Sequence, residues 1–126
     1  MSIPVPVTDL AGALADYDYA YLLTVSDDGR PHAVAVSPRL VDGVLRAGVG
    51  HRSTVNAVAR PDAVSLVWPP SESGGYSLIV DGAASIDGEI ISVRPAKAVL
   101  HRPAPSDVGP VEAGACGSDC VPLTLA

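Results

Sequence analysis

The chain has 126 residues, enough for one domain with a core that folds unaided. Hydrophobic residues make up 48% of it, yet there is no Phe and one Trp, so the core must come from small aliphatic and β-branched groups that favour close-packed strands. A net charge of −6, from 14 acidic against 8 basic residues, argues against nonspecific nucleic-acid or anionic-membrane binding, and no stretch approaches the ~20 apolar residues of a membrane span.

The start, Met1-Ser2-Ile3-Pro4-Val5-Pro6, has neither the basic nor the apolar region of a secretory signal. Both cysteines, Cys116 and Cys120, fall near the end and leave the body without a thiol. A cytoplasmic location is the expectation.

Thr8 is placed to cap a first helix with Leu10, Leu14 and Tyr17 along one face. Alternation then predicts a strand from Ala20 to Ser26, a hairpin turn at Asp27-Asp28-Gly29-Arg30 and a second strand from His32 to Ser37. Val41-Asp42-Gly43 turns the chain into a third strand, Val44 to Val49, which completes a predicted three-stranded meander. A helix of two turns fits Ser53 to Ala59 with Val55, Val58 and Ala59 inward, and Arg60-Pro61 ends it.

Ala63 to Trp68 reads as a buried strand, and Pro69 to Gly75 as a loop. Tyr76 to Ile86 is a long strand, with Gly82 a candidate bulge at a barrel bend. Asp87-Gly88 turns into a sixth strand from Glu89 to Val93 or beyond. Two units result: a folded body over 1–102 and an irregular arm rich in Pro, Gly and Ala over 103–126. The predicted fold is mainly β, a six-stranded barrel with two short helices, in which closure removes the exposed sheet edges.

Where the third strand meets the second helix, Arg46-Ala47-Gly48-Val49-Gly50-His51-Arg52-Ser53-Thr54-Val55-Asn56 combines small residues with a guanidinium and two hydroxyls. Small residues let a ligand approach the backbone. A helix start offers unpaired N–H groups and a partial positive charge, so Arg52, Ser53 and Thr54 form a candidate anion seat.

The order of elements resembles the split-barrel flavin-binding family of pyridoxamine 5′-phosphate oxidase and the actinobacterial flavin and deazaflavin oxidoreductases. Three stretches carry the resemblance: Leu22 to Val36, with its Asp-Gly-x-Pro turn; Gly50 to Pro61, similar to the family's Ser-Arg-Lys helix; and Val93 to Arg102, similar to its last strand. The family binds flavin or deazaflavin at the interface of a homodimer. The resemblance therefore implies a homodimeric oxidoreductase acting on a small-molecule substrate, with FMN as cofactor.

A deazaflavin coenzyme is the alternative, although its acidic tail should prefer a more basic groove than a chain whose single Lys is Lys97. By position, Arg52 matches the residue that meets the cofactor phosphate. Ala33, Val34, Ala35 and Val36 match the strand against the ring, and Ala47 and Gly48 match positions near the ring and ribityl chain. Asn56 matches a structural amide. Ser53 stands where many members carry Lys, and the Trp-x-Arg ending of the pyridoxal-vitamer oxidases is absent. Pyridoxamine phosphate oxidation is accordingly not expected.

Plainer roles compete with these. Ser53 and Thr54 suit simple helix capping, and Arg52 could be a surface residue, though a cation at a helix start needs a reason. His51 lies beside the seat and could serve as a general acid, but a solvated loop histidine is the simpler reading, and His32 and His101 offer less still. Hydride chemistry belongs to the cofactor, so no catalytic residue is assigned. Two thiols in Cys116-Gly117-Ser118-Asp119-Cys120 fall short of a metal site; free thiols are the first reading and a local redox disulfide, which Gly117 would allow, the second. Tyr17, Tyr19, Tyr21 and Tyr76 read as packing residues, with a pocket rim as the alternative place for Tyr76. A non-catalytic cofactor-binding barrel, or one that binds a protein partner, is the competing class.

Overall fold

Four of the strand connections, at residues 26–30, 37–38, 42–43 and 88–89, span five residues or fewer, and these short turns fix the register of the hairpins. The structure, a computed structural model, describes residues 1–104; Cys116, Cys120 and nearly all of the expected arm lie outside the described residues. Among the described residues there are eight strands: β1 (Ser2–Val5), β2 (Ala20–Val25), β3 (Pro31–Val36), β4 (Arg39–Val41), β5 (Val44–Gly48), β6 (Val64–Trp68), β7 (Ser77–Asp87) and β8 (Ile90–His101). Helix α1 covers Leu10–Leu14 and helix α2 covers His51–Ala59.

The mainly β class with two short helices holds, but the strand count rises from six to eight. The extra strands are too short to announce themselves. β1 contains Pro4, which an edge strand tolerates because it lacks only an N–H, and it pairs with β8 alone. β4 is three residues between Pro38 and a tight turn in which Asp42 and Gly43 both take positive φ, 51° and 79°, as a type I′ hairpin requires.

The expected meander is also corrected. β2 pairs with β3 and β4 with β5, but the path through the sheet is β3-β2-β6-β7-β8-β5-β4, so β5 lies against β8 and not β3. Thr8 falls within a 3-10 turn at Val7–Asp9, and Asp9 precedes α1 without a side-chain cap. Leu10 is nevertheless buried, with Leu14 and Tyr17 packed on the core as expected.

β3 and β4 stand at the two ends of this path yet are joined by only Ser37 and Pro38. Three Cα steps of 3.80 Å reach at most about 11 Å, so the sheet has to curl until its ends nearly meet. No ladder joins β3 to β4 among the described residues, and the barrel stays split along this seam. Inside it, Leu22, Leu45, Leu66, Trp68, Leu78, Val80, Ile91 and Val93 are almost wholly buried.

Gly82 is the bend foreseen in the sequence, with the β7–β8 register shifting between Asp81 and Gly82. A Cβ there would run into the Arg94 carbonyl oxygen and come within 2.8 Å of the Val93 Cγ1. Gly82→Ala is expected to cost about 1–3 kcal/mol in urea unfolding, since the clash falls on backbone that cannot step aside.

Candidate functional site

Helix α2 is fixed from beneath by polar contacts. Ser53, Asn56 and Ala57 form its buried face, while Val55 is 47% and Val58 66% exposed, and Ala59 is exposed too. The expectation of Val55, Val58 and Ala59 facing inward is thus reversed. The apolar spacing misled because a buried hydrogen bond sets the rotation of the helix: Asn56 Nδ2 donates to Thr24 Oγ1 on β2 at 3.1 Å. At the other end, Arg60 Nε donates to the Ser26 carbonyl (2.8 Å) and its Nη2 to that of Asp27 (2.6 Å), tying α2 to the β2–β3 turn.

The helix begins earlier than its sequence suggests. Gly50 is the N-cap residue and makes no side-chain cap. The backbone N–H of Thr54 reaches the Gly50 carbonyl at 3.1 Å, leaving those of His51, Arg52 and Ser53 without a backbone partner among the described residues. Ser53 and Thr54 therefore do not cap. The Thr54 hydroxyl donates back to the Gly50 carbonyl (2.9 Å), which commits its proton within the helix.

These free N–H groups face the seam, where a cavity of about 560 Å³ opens. His32, Val34, Ala35 and Val36 of β3 form one wall; Gly48, Val49, Gly50, His51, Arg52 and Ser53 form the other, with Glu89 and Ile90 at one end. A Cβ at Gly48 or Gly50 would meet nothing within 4 Å, so a ligand can come up to the backbone there. Of the nine residues singled out in the sequence, Arg52, Ser53, Val34, Ala35, Val36 and Gly48 line this cavity. Ala47 lines an adjoining one, while Ala33 and Thr54 line none of the three cavities at the seam.

A second cavity of about 460 Å³ lies on the other side of Arg52, among Ser26, Asp28, Arg30, Pro31, His32 and Asn56. Here the Ser26 hydroxyl, the backbone N–H groups of Asp28 and Arg30, and the Arg52 guanidinium hold the Asp28 carboxyl below the usual carboxylate value. Asp28 and Glu89 both oppose an incoming anion.

No family model matches the chain. Over 133 residues it is 43% identical to Uncharacterized protein Mb0449c of Mycobacterium bovis and to Uncharacterized protein MT0457 of Mycobacterium tuberculosis, covering 92% of this chain and 92% of each relative. The chain belongs to the family of these mycobacterial proteins.

Among solved structures, a candidate pyridoxamine 5′-phosphate oxidase from Listeria innocua is 20% identical, with a TM-score of 0.60, and covers 75% of this chain and 96% of its own. An FAD-binding protein from Mesorhizobium loti has a TM-score of 0.61 at 15% identity, covering 79% and 96%. The FAD-binding protein of Mycobacterium smegmatis has 0.57 at 14%, covering 81% and 100%. The family's fold is the split barrel of these pyridoxamine 5′-phosphate oxidase-like and flavin-binding proteins.

Sequence reasoning passed over one residue of this family member. His32 Nδ1 is buried without a hydrogen-bond partner among the described residues, in the wall shared by the two cavities flanking Arg52. Its alternation with Val34 and Val36 was the available signal, since it puts an imidazole on the inward face of β3. Tyr76, by contrast, is no rim residue of these cavities. Its carbonyl accepts from Tyr17 Oη (2.8 Å) and its ring lies 4.5 Å under the Arg102 guanidinium, at the end of the eleven-residue β7 remote from Glu89.

Asn56→Ala should destabilise the fold by about 1–3 kcal/mol in chemical denaturation, because it strands the buried Thr24 hydroxyl. Asp28 has a lowered folded pKa, so its contribution is present at pH values above 3.8 and is lost as the pH falls through the folded value. The unfolding midpoints of the parent and Asp28→Asn are expected to differ at neutral pH and to converge in acid.

Proposed function

We propose that this protein is a flavin-dependent oxidoreductase of the split-barrel type, working as a cytoplasmic homodimer on a small-molecule substrate. The observation that carries the reading is a single cavity that joins an uncapped helix start bearing Arg52, a glycine-lined backbone at Gly48 and Gly50, and an apolar wall from β3. Those features match, in order, the phosphate, the ribityl chain and the ring of FMN. The flavin-binding names of two similarly folded proteins support the same cofactor class. A deazaflavin with an anionic group at the same seat is the second choice.

Each side chain has a definite task in this scheme. Arg52 gives a charge-assisted bond to the phosphate, and the N–H groups of His51, Arg52 and Ser53 add backbone donors along the helix dipole. The His32 ring forms the part of the wall next to Arg52. Val34 and Val36 exclude water from the ring. When bound, the flavin accepts or delivers the hydride, and the protein contributes orientation.

Tyr19 just before β2, Tyr21 on it, Val41 on β4, and Val55 and Val58 on α2 are exposed, largely apolar side chains, and a second copy of the chain is their proposed cover. Light scattering at micromolar concentration should return the mass of two chains.

A barrel that binds flavin without turnover is the second reading. Ser53 in place of a cationic side chain and Glu89 in the same cavity favour it, since both weaken an anion seat. Reduction of the bound flavin by a nicotinamide donor, followed at the flavin absorbance, separates the two.

Arg52→Ala is expected to weaken FMN binding about ten- to a hundredfold, the scale of one charge-assisted bond to phosphate, with little change in unfolding. Arg46→Ala should change FMN affinity far less. Full FMN affinity in Arg52→Ala would place the phosphate elsewhere. His32→Leu is expected to hold or raise stability in urea unfolding, because it removes a buried nitrogen that has no partner among the described residues.

A further inference from the structure

Arg39 and Arg46 are direct Cα partners in the β4–β5 ladder, so their side chains leave the same face of the hairpin. Like charges set directly opposite one another destabilise a strand pair. Among the described residues no carboxylate oxygen lies within 4.0 Å of either guanidinium. Both side chains line a third cavity, of about 330 Å³, together with Ser37, Ala47, Gly48 and Ile90.

That cavity is not separate from the seam. Gly48 and Ile90 belong to both, and a Cβ at Gly48 would meet nothing within 4 Å, so the backbone leaves a passage between them. The chain runs from Arg46 through Gly48 and Gly50 to Arg52, which sets the two cationic positions at opposite ends of one groove. Within the groove the charge balance of the chain is inverted. Its three cavities take four of the eight basic side chains but only two of the fourteen acidic ones.

With the cofactor phosphate at Arg52, a ring lying past Gly48 and Ala47 points its far end at Arg39 and Arg46. A second phosphate of the cofactor would sit beside the first, at the other end of the groove. The guanidinium pair is therefore left for a different molecule. We propose that Arg39 and Arg46 form a substrate anion seat, at which an organic carboxylate or phosphate ester docks against the exposed end of the flavin ring. The inference rests on the flavin reading for its orientation, but the seat itself is defined by the hairpin. Charge on a short edge strand can also serve only to block edge pairing, and that role requires no anion selectivity.

The test titrates FMN-saturated protein with benzoate, phenyl phosphate and the neutral isostere benzamide, by calorimetry and through the Arg Nε–Hε resonances. At least one of the two anions should bind about tenfold tighter than benzamide, as expected for charge-assisted pairing, and the stronger of them identifies the carboxylate or the phosphate class. The Arg39 and Arg46 signals should move while that of exposed Arg94, outside the groove, stays still. In the Arg39→Gln/Arg46→Gln double variant the anion preference should vanish with FMN affinity within about twofold of the parent, whereas Arg39→Lys/Arg46→Lys should keep part of it.

Both side chains are exposed, so an unchanged thermal midpoint is the folding control. Equal binding of anions and benzamide, or full anion binding by the Gln variant, overturns the seat. Arginine-dependent anion binding by a protein that takes up no FMN keeps the seat and overturns the flavin reading instead.

Discussion

Two residues, Ser37 and Pro38, connect strands that lie at opposite ends of the sheet, and the rest of the architecture follows from that tether. With so short a link the sheet can only be a nearly closed barrel, whatever the preferences of its individual strands. It is also a barrel that does not zip shut, because Pro38 brings no N–H to the join and β4 ends after three residues. The seam so created exposes the backbone of β3 on one side and the glycine-bearing end of β5 on the other. The cavity is thus the place where the sheet fails to close, lined by the residues nearest the failure.

A split barrel of small side chains has little apolar volume to spare for positioning a helix, and here polar contacts take that role. The Asn56–Thr24 hydrogen bond sits beneath α2, and Arg60 holds its far end to the carbonyls of the β2–β3 turn. Both are specific in direction, whereas apolar packing alone would permit rotation of the helix. The consequence is that the first turn of α2, with Arg52 and its free N–H groups, points at the seam, while Val55 and Val58 are turned outward. Stability and site geometry share the same few bonds.

Electrostatics sharpen this picture. An acidic protein that gathers half of its cationic side chains along one groove has concentrated its attraction for anions in a small volume, where apolar walls reduce screening. Asp28 and Glu89, in the same cavities, moderate that field. Outside the groove the described residues carry nine acidic against four basic side chains, which disfavours nonspecific polyanions.

The sequence by itself determined the local structure. Alternation placed six of the eight strands, the Asp-Gly pairs located the hairpins, and Gly82 announced the bulge, because these features depend on neighbours a few residues away. It also marked Arg52, Gly48 and the β3 residues as a group, through the resemblance to a known family. Tertiary structure decided which strands became neighbours: β5 chose β8 over β3, since pairing depends on the closure of the whole sheet and not on proximity in the chain. It decided the facing of α2, through a hydrogen bond between residues 32 apart that periodicity cannot see. And it alone brought Arg39 to Arg46 and put the unpartnered His32 nitrogen in the cavity wall, because burial and cross-strand register are properties of the folded chain.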